Sequence, residues 1–321
     1  MGSFCSYLKS PPLASPIWEM YTRDFACDMG DILKLAWAAV VLLIAFSGPA
    51  AGATESTRVP TPEAALNRLY NFDFKGAHRE LSEWTAAHPE DPLGPAFQAA
   101  TYMFTEFSRL HILEGEFFED DKELASKKKL KADPKLKAAF DKNVDTAQKL
   151  AQAALAKNPN DQNALFAYSV ATGVQMDYAS LVAKRGLTSL SYAKQAQEYT
   201  HQLLQLNANF VDAYLTKGFS QYLLSSLPFF VRWFVHFDGA EPDKQAGIEN
   251  LVKVAKHGTY FKSYAKILLA IIYLREKQPE RSAKLLTELS KEYPENPLLP
   301  RELSKIQEAM ARGDFGQRGS I

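Results

Sequence analysis

Cysteine is almost missing from this chain. Its two, Cys5 and Cys27, both lie near the amino terminus. The remainder needs no disulfide and can hold no thiolate site, whatever the redox compartment. A charge excess is missing too. Lys and Arg number 37, Asp and Glu 37, so composition excludes a strongly basic nucleic-acid binder. No segment keeps up period-two alternation, and no hairpin dipeptide joins two such runs, which points to an all-α fold. The signatures G-x-S-x-G, H-E-x-x-H, G-x-G-x-x-G and the P-loop are absent. Asp and Glu pairs abound, but nothing singles one out for acid–base work. The expectation is a protein with no catalytic residues, no cofactor and no metal.

What is present begins with a leader. Leu35–Phe46 runs without a charge or strong polar group, Ser47-Gly48-Pro49 breaks it, and Ala51-Gly52-Ala53 supplies an A-x-A pattern. A spanning helix needs about 20 apolar residues, so a signal peptide cleaved after Ala53 is favoured over an uncleaved anchor. Met29 begins a leader of ordinary length and is an alternative start. Cleavage would leave a nearly neutral, cysteine-free chain in the periplasm or secreted. Residues 54–61 read as a flexible lead, 62–312 as one repeat domain and 313–321 as a frayed tail.

Helical periodicity fills the rest. Segments 62–71, 76–88, 92–113, 134–157, 162–174, 190–206, 210–224, 244–256, 263–292 and 298–311 carry it. Between them, 114–133 (EGEFFEDDKELASKKKLKAD) is a charged insertion, acidic and then basic.

Four stretches fit the second half of a roughly 34-residue tetratricopeptide (TPR) hairpin. In Ser263–Pro297, Leu269, Ala270 and Tyr273 take first-helix slots, Leu286 and Leu289 second-helix slots, and Pro294 the terminator. Ser282 stands where the template has Ala, and Lys266 where it has Trp. The same interval recurs at Ala77, Leu81, Trp84 and Pro89; at Ala147, Ala151, Ala154 and Pro159; and at Ala196, Thr200, Leu203 and Ala208. Tyr214 and Gly218 fill the W-x₃-G positions, with Gly218 read as a close helix–helix contact beneath Tyr214. Such units must stack to bury their apolar stripes.

From Asn209 to Pro297 the chain resembles a family of exported bacterial tetratricopeptide proteins of uncharacterised function. The resemblance rests on NFVDAYLTKGFSQYLLSSLP, GAEPDKQAGIENLVKVAKHGTYFKSYAKILLAIIYL and LLTELSKEYPENP. It departs at Phe219 and Tyr222, which cover the aromatic slots loosely, and at Glu241-Pro242-Asp243, which replaces a Gly-Asp turn. The resemblance implies a right-handed superhelix of helical hairpins, an α-solenoid, with a protein-interaction role and no catalytic residues.

Three clusters stand out as candidate sites. In PFFVRWFVHF, residues Phe229, Phe230, Trp233, Phe234 and Phe237 share one helical face, with Arg232 and His236 on another. That face is either packed core or a docking face for a partner or a membrane surface. His111, Glu114, Glu116, Glu119, Asp120 and Asp121 are the one metal-like cluster. Two ligands on a face make no site, so solvated acids are the plainer reading. Lys127, Lys128, Lys129, Lys131, Lys135 and Lys137 form a solvated basic face or an anionic-lipid contact.

The leading expectation is a periplasmic or secreted scaffold whose concave face binds a protein or peptide. A peripheral membrane protein using 228–237 comes second, and an enzyme with an unrecognised site third. Amino-terminal sequencing of the protein from its host is expected to start at Thr54. A start upstream of Leu35 would mean an uncleaved anchor.

Overall fold

The computed structural model describes residues 59–114, 130–226 and 241–315. The chain divides into two compact units, Met1–Arg58 and Val59–Ile321, and all described residues belong to the second. They form eleven α-helices and one 3-10 turn, with no strand among them.

The helices pair as successive hairpins, and the fold is an all-α solenoid of TPR-like units. α1 (Pro62–Tyr70) pairs with α2 (Phe74–Ala87), and α3 (Leu93–Arg109) with α4 (Pro134–Lys157). α5 (Gln162–Leu181) pairs with α6 (Gly186–Leu206). A 3-10 turn, Val211–Ala213, leads into α7 (Tyr214–Ser226), which pairs with α8 (Lys244–His257). α9 (Lys262–Arg275) pairs with α10 (Pro279–Glu292), and α11 (Leu298–Arg312) packs on α10 as a final helix. Local chemistry sets several of the starts. Thr61, Asp73, Asp133, Asp161 and Asp243 each accept a backbone N–H of the following first turn, which satisfies donors the helix itself cannot.

Alternation makes the first helices of the hairpins an inner layer. α5 is apolar nearly all round, burying Leu165, Phe166, Tyr168, Val170 and Val174 among others, as a helix enclosed by neighbours must. α10 shows the opposite pattern. Its buried stripe is Ser282, Leu286 and Leu289, and its other faces carry Lys and Glu.

The two ends of the solenoid meet. Asn296 Nδ2 donates to the Tyr70 carbonyl at 2.8 Å, and the Glu295 N–H donates to Asn71 Oδ1 at 3.0 Å. Tyr293 donates its hydroxyl to Asn67 Oδ1 at 3.1 Å, and its ring sits 5.7 Å from that of Tyr70. One apolar cluster therefore runs from Ala65 and Leu69 through Phe97 and Phe166 to Leu286, Leu299 and Ile306.

The half-buried turn before α9 is tied to an earlier element of the solenoid. Asp212, 5 % exposed, accepts the backbone N–H groups of Thr259, Tyr260 and Phe261 at 2.9, 3.0 and 2.8 Å. α9 has no side-chain cap of its own, so a carboxylate from two helices earlier fixes its entry.

Some helix ends differ from the periodicity. α3 stops at Arg109, four residues before Leu113, because the chain turns at His111 with φ 60°. α5 runs through Gly173 to Leu181, beyond the expected end at Val174. At the template slots, Ala77, Leu81, Ala147, Ala196, Gly218, Tyr273 and Leu286 are buried, Trp84 and Tyr214 are half-buried, and Pro294 is exposed. Lys266 is buried and pairs with Glu292 and Glu288, while the Ser282 hydroxyl has no partner.

Gly218 makes the expected close helix–helix contact, and its neighbour across the contact is Gly247 of α8. A Cβ on Gly218 would stand 2.8 Å from the Gly247 carbonyl oxygen, and one on Gly247 would stand 2.7 Å from that of Gly218. Gly173 has no atom within 4 Å of the same point. Gly218→Ala should force α7 from α8 and cost about 1–3 kcal/mol. Gly173→Ala should instead gain about 0.5–1 kcal/mol from helix propensity alone. Thermal melts of both variants check the pair.

Candidate functional site

The inner surface is where a partner was first expected, and the chain occupies much of it. Tyr260 and Phe261, held by Asp212, enter between α3 and α5. Phe97 lies 5.3 Å from Tyr260 and 6.0 Å from Phe261, ring to ring. Phe166 stacks on Tyr260 at 5.7 Å and meets Phe210 at 4.9 Å. Such aromatic contacts add about 0.5–1.5 kcal/mol each beyond the area they bury. Burial pushes the Tyr260 hydroxyl up to about 12.

Asp177 lies towards the carboxyl end of α5, one helical turn after Gly173, where a Cβ would meet no atom within 4 Å. Phe104 and Tyr264 meet edge to face at 5.7 Å on the neighbouring helices, and Tyr264 lies close enough to feel the Asp177 charge. Asp177 keeps part of its surface accessible, yet protein surrounds it, and its carboxyl makes no hydrogen bond or ion pair among the described residues. Burial alone raises its pKa to about 7.

Two long connections leave from the carboxyl ends of α3 and α7, and a glutamate ties the stems of each. Glu106, fully buried, accepts two bonds from Arg109 at 2.7 and 2.8 Å and the Asp133 N–H at 2.8 Å. Arg109 also reaches the Lys131 carbonyl at 2.6 Å. Glu276 accepts from the Tyr222 hydroxyl at 3.1 Å and from Lys244 Nζ at 2.8 Å, joining the end of α7 to the start of α8.

Phe229, Phe230, Trp233, Phe234 and Phe237 fall between those second stems, outside the described residues, as do Arg232 and His236. Of the acidic cluster, Glu116, Glu119, Asp120 and Asp121 are likewise outside. His111 Nδ1 and Glu114 Oε1 do meet at 2.8 Å, through the turn rather than along a helix. Glu114 is also paired with Arg301 of α11 at 3.0 Å, and these two bonds hold its pKa below the usual carboxylate range. Among the described residues, no group of three or more His, Cys, Asp or Glu is placed to hold a metal. Lys127, Lys128 and Lys129 are outside the described residues. Lys137 is bound to Asp141, with its ammonium over Tyr178. No described helix is long and apolar enough to cross a membrane.

A cleft of about 360 Å³ opens between the α2–α3 turn and α4–α5, lined by His88, Glu90, Asp91, Asp161 and Asn163. Its central carboxylate is already engaged. Asp91 accepts from Trp84 Nε1 at 3.2 Å, Asn163 Nδ2 at 2.8 Å and the Leu93 N–H at 3.0 Å, a joint between repeats.

Sequence reasoning passed over Asp177 and Asp212. Asp177 had a usable signal, since it is the one acidic residue in α5. Asp212 had none, because its partners lie 47 to 49 residues away.

No family model matches this chain, and no curated protein matches it. A solved structure that resembles it is a thermophilic TPR protein from Thermus thermophilus. The match has 14 % identity and a TM-score of 0.42, and covers 77 % of this chain and 97 % of the other. The fold assignment above rests on the helix pairing itself.

Asp177 sets a pH dependence of stability. Its folded pKa of about 7 exceeds the unfolded value of about 4. The folded state therefore binds the extra proton between those limits, and the stabilisation is full below pH ~4 and lost as pH rises through ~7. Asp177→Asn is expected to melt above wild type at pH 8, with the gap shrinking towards pH 5. Parallel melts across that range check it, and a gap independent of pH would count against the buried carboxylate.

Proposed function

We propose that this chain is an exported bacterial scaffold without catalysis, which binds a protein or peptide through the outer surface of its helical repeats. The closed interior carries this reading. With Tyr260 and Phe261 between Phe97 and Phe166, and with α1 bonded to the α10–α11 turn, the concave face has its own occupant. What remains for a partner is the row of outer helices and turns, where side chains such as Lys149, Lys194 and Lys284 are exposed.

A second reading is a peripheral attachment to a membrane through residues 228–237. The observation favouring it is the exposure of three leucines. Leu187, 87 % exposed, and Leu190 lie at the start of α6, and Leu223 lies near the end of α7, just before the aromatic segment. Exposed leucines suit an interfacial surface.

Site-directed crosslinking tests the first reading. With Cys5 and Cys27 changed to Ser, single cysteines at Lys149, Lys284 and Gly173 can carry a photoactivated benzophenone in the host. The expected result is one discrete adduct from Lys149→Cys or Lys284→Cys and none from Gly173→Cys, which lies on α5 with open space beside it. An adduct from Gly173→Cys alone would place the partner inside. Flotation of the protein with anionic vesicles, lost in Trp233→Ala, would promote the membrane reading.

A further inference from the structure

The loosest junction between consecutive helices of the solenoid lies where α6 meets α7. A cleft of about 170 Å³ opens there. Gln197, His201 and Gln205 line it from α6, spaced four residues apart and so stacked along one face. Tyr214 and Lys217 line it from α7, with Leu204 completing the wall.

Gln197 is the informative residue. It is 1 % exposed, and neither its Nε2 nor its Oε1 hydrogen-bonds to any group among the described residues. A buried amide that loses water without gaining partners destabilises the fold. Leucine at the same place would fill the space at no such penalty. A residue that costs stability without a structural return marks a place built to meet something else.

The surrounding charges say what. No acidic side chain lines the cleft. Lys217 makes no ion pair among the described residues, its ammonium lying 5.9 Å from the Tyr214 ring centroid. Lys253 of α8 holds its own ammonium 3.6 Å from that centroid. Tyr214 donates its hydroxyl to the Ala208 carbonyl at 3.0 Å, and His201 Nε2 and Gln205 Nε2 are 2.9 Å apart. The ring is thereby pinned beneath two cations, and the cleft repels a cationic ligand.

We propose that the α6–α7 cleft binds a carboxylate that carries a neighbouring N–H donor. The Gln197 amide, sealed from solvent in this structure, turns into the cleft on binding, where its Nε2 donates to the ligand and its Oε1 accepts the ligand's N–H, and Lys217 neutralises the carboxylate. An acylated acidic amino acid presents that pair of groups, and so does an acidic residue within a peptide. The site stands independently of the scaffold reading, because a free small molecule would satisfy it equally.

Calorimetric titration of the full chain tests this with two probes: N-acetyl-L-glutamate, and the blocked tripeptide acetyl-Gly-Glu-Gly-amide. At least one should bind saturably with one site per chain, and acetyl-Gly-Gln-Gly-amide should not. Binding of the free acid alone identifies a small-molecule ligand, and binding of the tripeptide a peptide. Lys217→Ala should weaken binding about tenfold or more. Gln197→Leu should weaken it as much while raising the melting temperature, a combination that a merely structural glutamine would not give. Absence of saturable binding to both probes overturns the proposal. So does unchanged affinity in either variant.

Discussion

One buried carboxylate organises the interior. Asp212 gathers three consecutive backbone N–H groups, and those groups belong to the turn that carries Tyr260 and Phe261. Buried backbone donors without partners are costly, so the turn takes its shape from a residue on a different hairpin. Two effects compete at the carboxyl itself. Burial pushes its pKa up, the three N–H groups pull it down, and burial is the larger, leaving it above the usual range. The site is thus a compromise in which the backbone bonds fix geometry at some electrostatic cost. Without that anchor, Phe97 and Phe166 would face an empty groove, and the chain would resemble an open solenoid with a vacant concave wall.

The same logic governs the two long connections. Each leaves the end of an inner helix and returns at the start of its outer partner, and each has stems fastened by one glutamate. Glu106 is sealed from solvent with its guanidinium partner half-exposed above it, whereas Glu276 is reached by a phenol and an exposed ammonium. Fastened stems let the hairpins keep their packing whatever sequence is inserted between them. That is how a repeat architecture tolerates residues 115–129 and 227–240 without losing register.

Legibility in the sequence followed the range of the interactions. α4 was legible to the residue. Asp133 caps it, Pro134 opens it and Asn158-Pro159 closes it, all within one stretch of chain. The packed slots Ala77, Leu81, Ala147 and Ala196 were also legible, since they follow a local period. The helix expected to end at Val174 runs on to Leu181, because enclosure by neighbouring helices outweighs a propensity loss of about 1 kcal/mol at Gly173. The close helix–helix contact at Gly218 was legible, but its partner was not. A small residue announces that something approaches closely, and only the tertiary fold says it is Gly247. The cleft beside Gln197 and the filled interior depend on helices far apart in the chain, so no window of sequence contains them.

Linear repeat arrays fray from their tips, since each unit touches only its neighbours. This one has no free tip at α1. Asn67, Tyr70 and Asn71 grip Tyr293, Glu295 and Asn296 across more than 220 residues of sequence. The bond between first and last hairpins turns a row of semi-independent modules into a cooperative whole, because opening either end exposes the common core. It also delays completion of the structure. The chain must search a loop spanning nearly the whole domain before those contacts form, which favours slow closure and a native state that, once sealed, opens as one body.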